Sequence, residues 1–339
     1  MKGLSYRISK AGSLKNLKLV EEDLPEINDN EVCVKIKAIG INFADVFTIM
    51  GLYRAAPKFN FIPGLEFSGV IIKKGRDVSE FQVNDRVIGV IRFGAFTTHI
   101  IIDRQHLIKL PSEWTFEQGA GFVVQALTAY YGLVHLGNIS NNQTVLIHSA
   151  AGGVGLYANR IAKSYSAFTI GTVGNASKTG LLKSEGYNEI IVRNRNFKKE
   201  LKNKLNGRAL DIIIETVGGR IQKDSFNLLA PTGRMIAIGV SGYASHGNRP
   251  NYLKLLFQYI TRPVYDTLTL IESNKSILGF NLIWLYDRVE LLQNMLVKIG
   301  KLNLGKPYIG SVYKFEKLIE AVRTFQSGRT TGKVIVKIE

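Results

Sequence analysis

An α/β fold built on a doubly wound parallel sheet is predicted by three features of the sequence. The apolar run Thr144-Val145-Leu146-Ile147 leads into the small-residue segment His148-Ser149-Ala150-Ala151-Gly152-Gly153-Val154-Gly155, and a helical pattern follows through Ile161 and Ala162. Further short β-branched runs, Phe168 to Val173, Glu189 to Val192, Leu210 to Thr216 and Arg234 to Gly239, recur at helix-length intervals. Such strand–helix alternation builds one parallel sheet with helices on both faces. The third feature is length: 339 residues are long for a single core and suit two domains.

The junction after Ile147 reads as the phosphate turn of a dinucleotide-binding fold. There the chain must turn tightly, approach a pyrophosphate closely and pack a new helix against the strand it has just left. Gly152 and Gly155 fill the second and third glycine positions, and Ala150 replaces the first. Where an NAD site has a carboxylate on the ribose, about 20 residues past the turn, this chain has Gly174-Asn175-Ala176-Ser177-Lys178. A lysine beside a hydroxyl suits a 2′-phosphate that an aspartate would repel, so NADPH is preferred over NADH. Arg193, after the third strand, is a second candidate cation for that phosphate. A solvated surface charge is the competing reading for both Lys178 and Arg193.

Composition limits the remaining possibilities. Hydrophobic residues make up 45% and charged residues 21%, with only eight prolines, which predicts a globular chain throughout. Lys or Arg interrupts the longest apolar stretches, and Met1-Lys2-Gly3-Leu4-Ser5-Tyr6 lacks the apolar centre of a signal peptide, so a cytoplasmic location is expected. The lone Cys33 sits in the alternating run Glu31 to Lys37 and reads as a buried thiol, unable to form an internal disulfide or a multi-cysteine zinc site. Net charge is +17, concentrated from Arg193 to Arg208 in what reads as an outer helix. Without interleaved aromatics or a nucleic-acid motif, this is a solvated face rather than a nucleic-acid surface.

The segment ahead of the nucleotide turn carries a family resemblance. Gly40-Ile41-Asn42-Phe43-Ala44-Asp45-Val46, Gly51-Leu52-Tyr53, Ile62 to Val70, Val83 to Val87, Gly94-Ala95-Phe96 and Gln125 to Tyr130 arrive in order. Together with the phosphate turn they resemble the medium-chain dehydrogenase/reductase superfamily, in its zinc-independent quinone oxidoreductase branch. Asn274 to Leu282 and Thr330 to Val336 are most similar to the vesicle amine transport protein group within that branch.

The resemblance implies a GroES-like, mainly-β substrate domain over 1–124 and 285–339, and a Rossmann NADPH-binding domain over 125–284. It implies pyrophosphate contacts from Ala151, Gly152, Gly153, Val154 and Gly155, at a helix start where peptide dipoles favour negative charge. Gly174, Ser177, Lys178, Arg193 and Arg329 are placed at the adenosine phosphate. Thr128, Gly239, Val240, Ser241, Phe280 and Asn281 are placed at the nicotinamide. Asn42, Asp45 and Tyr53 fall near the mouth of the cleft. Tyr53 and Asn42 are expected to donate to the substrate oxygen, and Asp45 to order the loop; turn capping, helix capping and packing are the respective alternatives.

Zinc-dependent relatives hold their catalytic metal with an early cysteine and with a histidine before a glutamate. Here Asn42-Phe43-Ala44-Asp45 has no cysteine, Leu65 precedes Glu66, and the four-cysteine structural lobe is missing. No metal site is therefore expected, and Glu66 reads as structural. The expected chemistry is hydride reduction of a quinone or an α,β-unsaturated carbonyl. The alternative is an NADP(H)-binding protein with little catalysis that associates with anionic membranes or partners.

The histidines, His99, His106, His135, His148 and His246, show no metal-pair spacing, and His148 reads as a structural imidazole. The apolar segment Tyr252 to Arg262 is expected to line the pocket or pack in a dimer rather than touch a membrane. Ser276 to Leu282 reads as the last strand of the sheet, whose pairing with a second copy would give a homodimer.

Overall fold

Three sheets organise the chain in the computed structural model, which describes residues 1–244 and 247–339; His246 lies outside the described residues. The six-stranded sheet is wholly parallel, ordered Glu189–Val192, Phe168–Val173, Thr144–Ile147, Ile212–Glu215, Arg234–Ala237, Ser276–Gly279. Chain order reverses at Thr144–Ile147, where Phe168–Val173 lies on one side and Ile212–Glu215 on the other. A crevice for a dinucleotide opens at the carboxyl ends of strands at such a reversal.

The apolar runs are continuous because both faces of this sheet are covered. Val145 and Ile147 point into one buried cluster with Ile212 and Ile214, while Leu146 and Ile213 point into another on the opposite face. The period of two along each strand thus feeds two cores.

The first lobe holds a larger mixed sheet, ordered Ile309–Lys314, Lys333–Lys337, Glu31–Ile41, Glu66–Lys74, Arg86–Val90, Leu107–Lys109, with His99–Asp103 also paired to Glu31–Ile41. Lys333–Lys337 runs parallel to Ile309–Lys314 and antiparallel to Glu31–Ile41. Lys333–Lys337 is therefore an interior strand, one in from the edge, of a sheet whose other strands come mostly from the first 110 residues. A small sheet of Lys2–Lys10, Leu17–Asp23 and Phe59–Phe61 completes this lobe. Cys33 is a buried free thiol in Glu31–Ile41, and burial pushes its pKa up.

The helix Val289–Lys301 packs on the second lobe, with Met295 and Ile299 in the same buried cluster as Val145 and Ile147. The basic stretch forms the outer helix Phe197–Leu205, which buries Phe197, Leu201 and Leu205 and leaves its lysines in solvent. The apolar segment forms the helix Tyr252–Ile260, followed by Thr267–Ser273; Leu253 is 82% exposed and Ile260 70%. The last parallel strand ends at Gly279, short of the expected Leu282, because the chain leaves the sheet at Asn281 and enters the turn Leu282–Leu285.

Candidate functional site

Between the lobes lies a cavity of about 310 Å³, within the range of small-molecule sites. Its floor is the phosphate turn. The helix Gly153–Ser164 begins there behind Gly152, and no side chain caps its first N–H groups. Ser149 holds a left-handed backbone with φ 49°, uncommon for a residue with a Cβ, and its Oγ accepts from Thr216 Oγ1 at 2.8 Å. A Cβ on Gly155 would lie 2.7 Å from the Ala150 and Ser149 backbone, so this glycine is what lets the helix pack against the turn. Gly332 N donates to Ala151 O at 2.7 Å, tying the turn to the start of the carboxy-terminal strand.

The residues expected at the adenosine phosphate gather cations outside the cavity wall. Lys178 Nζ donates to Gly328 O and Thr330 O, both at 2.6 Å, which seats the loop bearing the exposed Arg329 beside it. Arg193 is partly buried, with Nη1 donating to Thr172 Oγ1 at 2.9 Å; its guanidinium runs alongside Gly174. Burial lowers the pKa of Lys178, and the nearby charge of Arg193 lowers it further. Two cations close enough to feel each other, beside an exposed Ser177, make a locus that an anion would relieve.

Thr128, Gly239, Val240, Ser241, Phe280 and Asn281 all line the cavity. Thr128 Oγ1 donates back into its own helix, to Val124 O at 2.6 Å. Phe280 is fixed by an edge contact with Tyr131, ring centres 4.8 Å apart.

The three candidates at the cleft mouth have different environments. The Tyr53 hydroxyl lines the cavity and donates to Asn281 Oδ1 at 2.8 Å; burial pushes its pKa up to about 12, so it stays a donor. Asn42 is 6% exposed and its amide is fully engaged. Oδ1 accepts from Gln125 Nε2 at 2.7 Å and Lys333 Nζ at 2.8 Å, while Nδ2 donates to Glu66 Oε1 at 2.9 Å and Gly40 O at 3.2 Å. In this arrangement neither Asn42 hydrogen is free for a substrate oxygen. Asp45 is buried away from the cavity and accepts from Asn42 N at 2.7 Å, which orders the start of the helix Phe43–Ile49. Burial raises its pKa to about 7.

Sequence reasoning missed the group that holds Asn42. Lys333 Nζ also forms an ion pair with Glu66 Oε1, with both residues almost completely buried. Glu66 further accepts from Val124 N at 3.3 Å and Gln125 Nε2 at 3.3 Å. Lys333 and Gln125 reach the cavity wall. These donors do not fit a zinc ion: Leu65 offers no ligand, an ammonium occupies the Glu66 carboxylate, and no three His, Cys, Asp or Glu side chains converge among the described residues.

His148 is buried under the turn, with Nδ1 2.8 Å from Thr172 Oγ1 and Nε2 3.0 Å from Ser225 Oγ. Burial holds its pKa down at about 3, so the ring is neutral. Glu215 Oε2 lies 3.3 Å from His148 Nε2. Its Oε1 accepts from Val217 N and Gly218 N, and this shapes the backbone leading to Gly239-Val240-Ser241. The apolar helix Tyr252–Ile260 contributes nothing to the cavity wall. That position is taken instead by Val289–Lys301.

Residues 28–112 match the alcohol dehydrogenase GroES-like domain family, and residues 153–291 match the zinc-binding dehydrogenase family. The chain is 31% identical over 316 residues to the human synaptic vesicle membrane protein VAT-1 homolog, covering 92% of this chain and 80% of the relative. The zebrafish homolog is 32% identical over 324 residues, covering 94% of this chain and 66% of the relative, just short of two thirds of its length. Among solved structures, the human VAT-1 homolog-like protein superposes with a TM-score of 0.85 at 25% identity, covering 100% and 99% of the two chains. A Pseudomonas syringae quinone oxidoreductase gives 0.84 at 25% identity, covering 99% of each. The CurK enoyl reductase gives 0.82 at 26%, also covering 99% of each.

Proposed function

The chain belongs to the medium-chain dehydrogenase/reductase family, and from that premise we propose that it is a zinc-independent, NADPH-dependent reductase of quinones or α,β-unsaturated carbonyls. The observation that carries this reading is the Tyr53 hydroxyl, a protonated donor at the edge of a mostly apolar cavity whose floor is the phosphate turn. The family includes relatives named as quinone oxidoreductase and enoyl reductase.

The turn from Ala151 to Gly155 would hold the pyrophosphate, and Lys178, Arg193, Ser177 and Arg329 the adenosine phosphate. When bound, the cofactor supplies a hydride. Tyr53 donates to the acceptor's carbonyl oxygen in place of, or together with, Asn281, and stabilises the negative charge that develops there. For an enone, hydride adds to the β-carbon and a proton from water completes the α-carbon; for a quinone, hydride and proton together give the hydroquinone. The ion pair of Lys333 with Glu66, through Asn42, fixes the wall beside this site and supports the loop from which Tyr53 extends. Apolar walls exclude water that would compete for the oxyanion.

We also propose that two copies pair through the free edge of Ser276–Gly279 and that the exposed apolar face of Tyr252–Ile260 contributes to the seam. That same exposed apolar face favours a second reading, in which a weakly catalytic NADP(H)-binding protein attaches to an anionic membrane. No described helix is long and apolar enough to cross one. The deciding assay follows loss of NADPH absorbance with a panel of ortho- and para-quinones and enones, with NADH as control. Turnover favouring NADPH is expected; tight NADPH binding with no turnover on any acceptor would overturn the reductase reading.

A further inference from the structure

The cavity has two unlike halves. One is the cofactor crevice with its backbone amides and the Tyr53 hydroxyl. The other is an arm between the strands Arg86–Val90 and Leu107–Lys109 and the helix Val289–Lys301. Ile88, Leu107 and Leu127 form one side of the arm, and Val289, Leu292 and Leu296 the other. Those last three recur at helical spacing and make one face of their helix, while Met295 and Ile299 on the adjoining face enter the core. Leu292 and Leu296 stay only partly buried: they pack against that core and also line the cavity. Space lined this way stays dry and accepts apolar ligands.

The far end of the arm is closed by side chains that reach from one lobe to the other. Arg92 forms an ion pair with Asp287, the His106 ring stacks on Tyr286 at 4.0 Å, and Gln293 Nε2 donates to Gln105 O at 3.1 Å. The Arg92 guanidinium also lies 5.3 Å from the Tyr286 ring centre. Arg92, Gln105 and His106 belong to the first lobe and their partners to the second, so these contacts close the arm and help set the gap between the lobes.

We propose that the acceptor carries an extended alkyl or prenyl tail, housed in this arm, with its reducible carbonyl at Tyr53 and its tail running toward the clasp of Arg92, His106 and Tyr286. The proposal rests on the reductase reading for the head group and on the arm alone for the tail. Selectivity then increases with tail length by about fourfold per buried methylene until the arm is full. Beyond that length it levels off or falls, because a longer tail must break the clasp.

The test is a homologous series of vinyl ketones of rising chain length, with kcat/KM measured for the wild-type protein and for Leu296→Trp and Leu292→Phe. The expected result is a long-to-short kcat/KM ratio of at least about 100 in wild type, given several buried methylenes, that collapses toward one in Leu296→Trp. A parallel measurement needs no turnover: displacement of a fluorescent fatty-chain probe by n-alkanols of rising length, with circular dichroism to confirm that each variant is folded. Turnover without length dependence, or a ratio unchanged in both variants, overturns the tail site and leaves the reductase standing. Length-dependent displacement lost in Leu296→Trp, with no acceptor reduced, supports the tail site and removes the reductase. Absence of both length effects overturns the proposal outright.

Discussion

The Tyr53 hydroxyl donates to Asn281 Oδ1 at 2.8 Å, and this one hydrogen bond joins the loop after the first helix to the end of the parallel sheet across the cleft. An acceptor carbonyl entering the cleft competes with Asn281 for the same proton. Removing that donor tests the role directly. Tyr53→Phe should lower kcat on the preferred acceptor about 100-fold, as loss of one oxyanion donor does, while the Kd for cofactor changes little. A kcat within about threefold of wild type would remove Tyr53 from the chemistry.

Lys178 gives up hydrogen bonds to two carbonyls if it turns to a phosphate, and it already sits near Arg193. Lys178→Ala should weaken NADPH about 10–100-fold, the scale of a lost charge-assisted hydrogen bond, and leave NADH nearly unaffected. Titration calorimetry with both cofactors measures the ratio; equal losses for both would make Lys178 structural.

Lys333 and Glu66 form a buried pair, so removing one partner strands the other charge. Lys333→Met should cost about 3–5 kcal/mol of stability. The double variant Lys333→Met with Glu66→Gln should lose less than the single one, since no bare charge remains. Urea denaturation of the three proteins gives the comparison, and a single-variant loss below about 1 kcal/mol would contradict the pairing.

Asp45 has a folded pKa of about 7 against 3.8 for the free side chain. Between those values the folded state binds a proton that the unfolded state does not, so stability falls as pH rises through this window. Relative to Asp45→Asn, the wild-type protein should lose a few kcal/mol between about pH 4 and pH 7. Parallel denaturation curves at several pH values would show it; a difference independent of pH would mean that Asp45 is charged throughout.

What could be read in the sequence was local. The phosphate turn announces itself because its glycines, the preceding apolar run and the following helix are contiguous, and the parallel strands because each is a β-branched run buried on both faces. Leu65 likewise shows at once that one position has lost its metal ligand. The Asn42 environment was not legible, since Lys333 lies 291 positions away and nothing around it marks a buried cation. Read alone, Asn42 is a donor or a turn cap and Glu66 a structural carboxylate of unspecified partner; together with Lys333 and Gln125 they form one closed network. For the apolar segment Tyr252 to Arg262, of the two expected places, pocket or dimer, the structure sets aside the pocket. The segment's hydrophobicity was plain, but only tertiary placement shows that Val289–Lys301 lines the cavity while Tyr252–Ile260 faces outward.

The position of Lys333–Lys337 between two other strands of the first sheet has a consequence for biosynthesis. The nucleotide-binding lobe is nearly contiguous in sequence and can fold while the chain is still being made. The first lobe cannot, because the strand that separates Ile309–Lys314 from Glu31–Ile41 is made only after the whole nucleotide-binding lobe. Until then the edge of Glu31–Ile41 is open and Glu66 lacks its cation. The nascent amino-terminal half therefore has to be kept from aggregating until the nucleotide-binding lobe and this strand have both been made, and truncation before Lys333 would leave the first lobe without one of its interior strands.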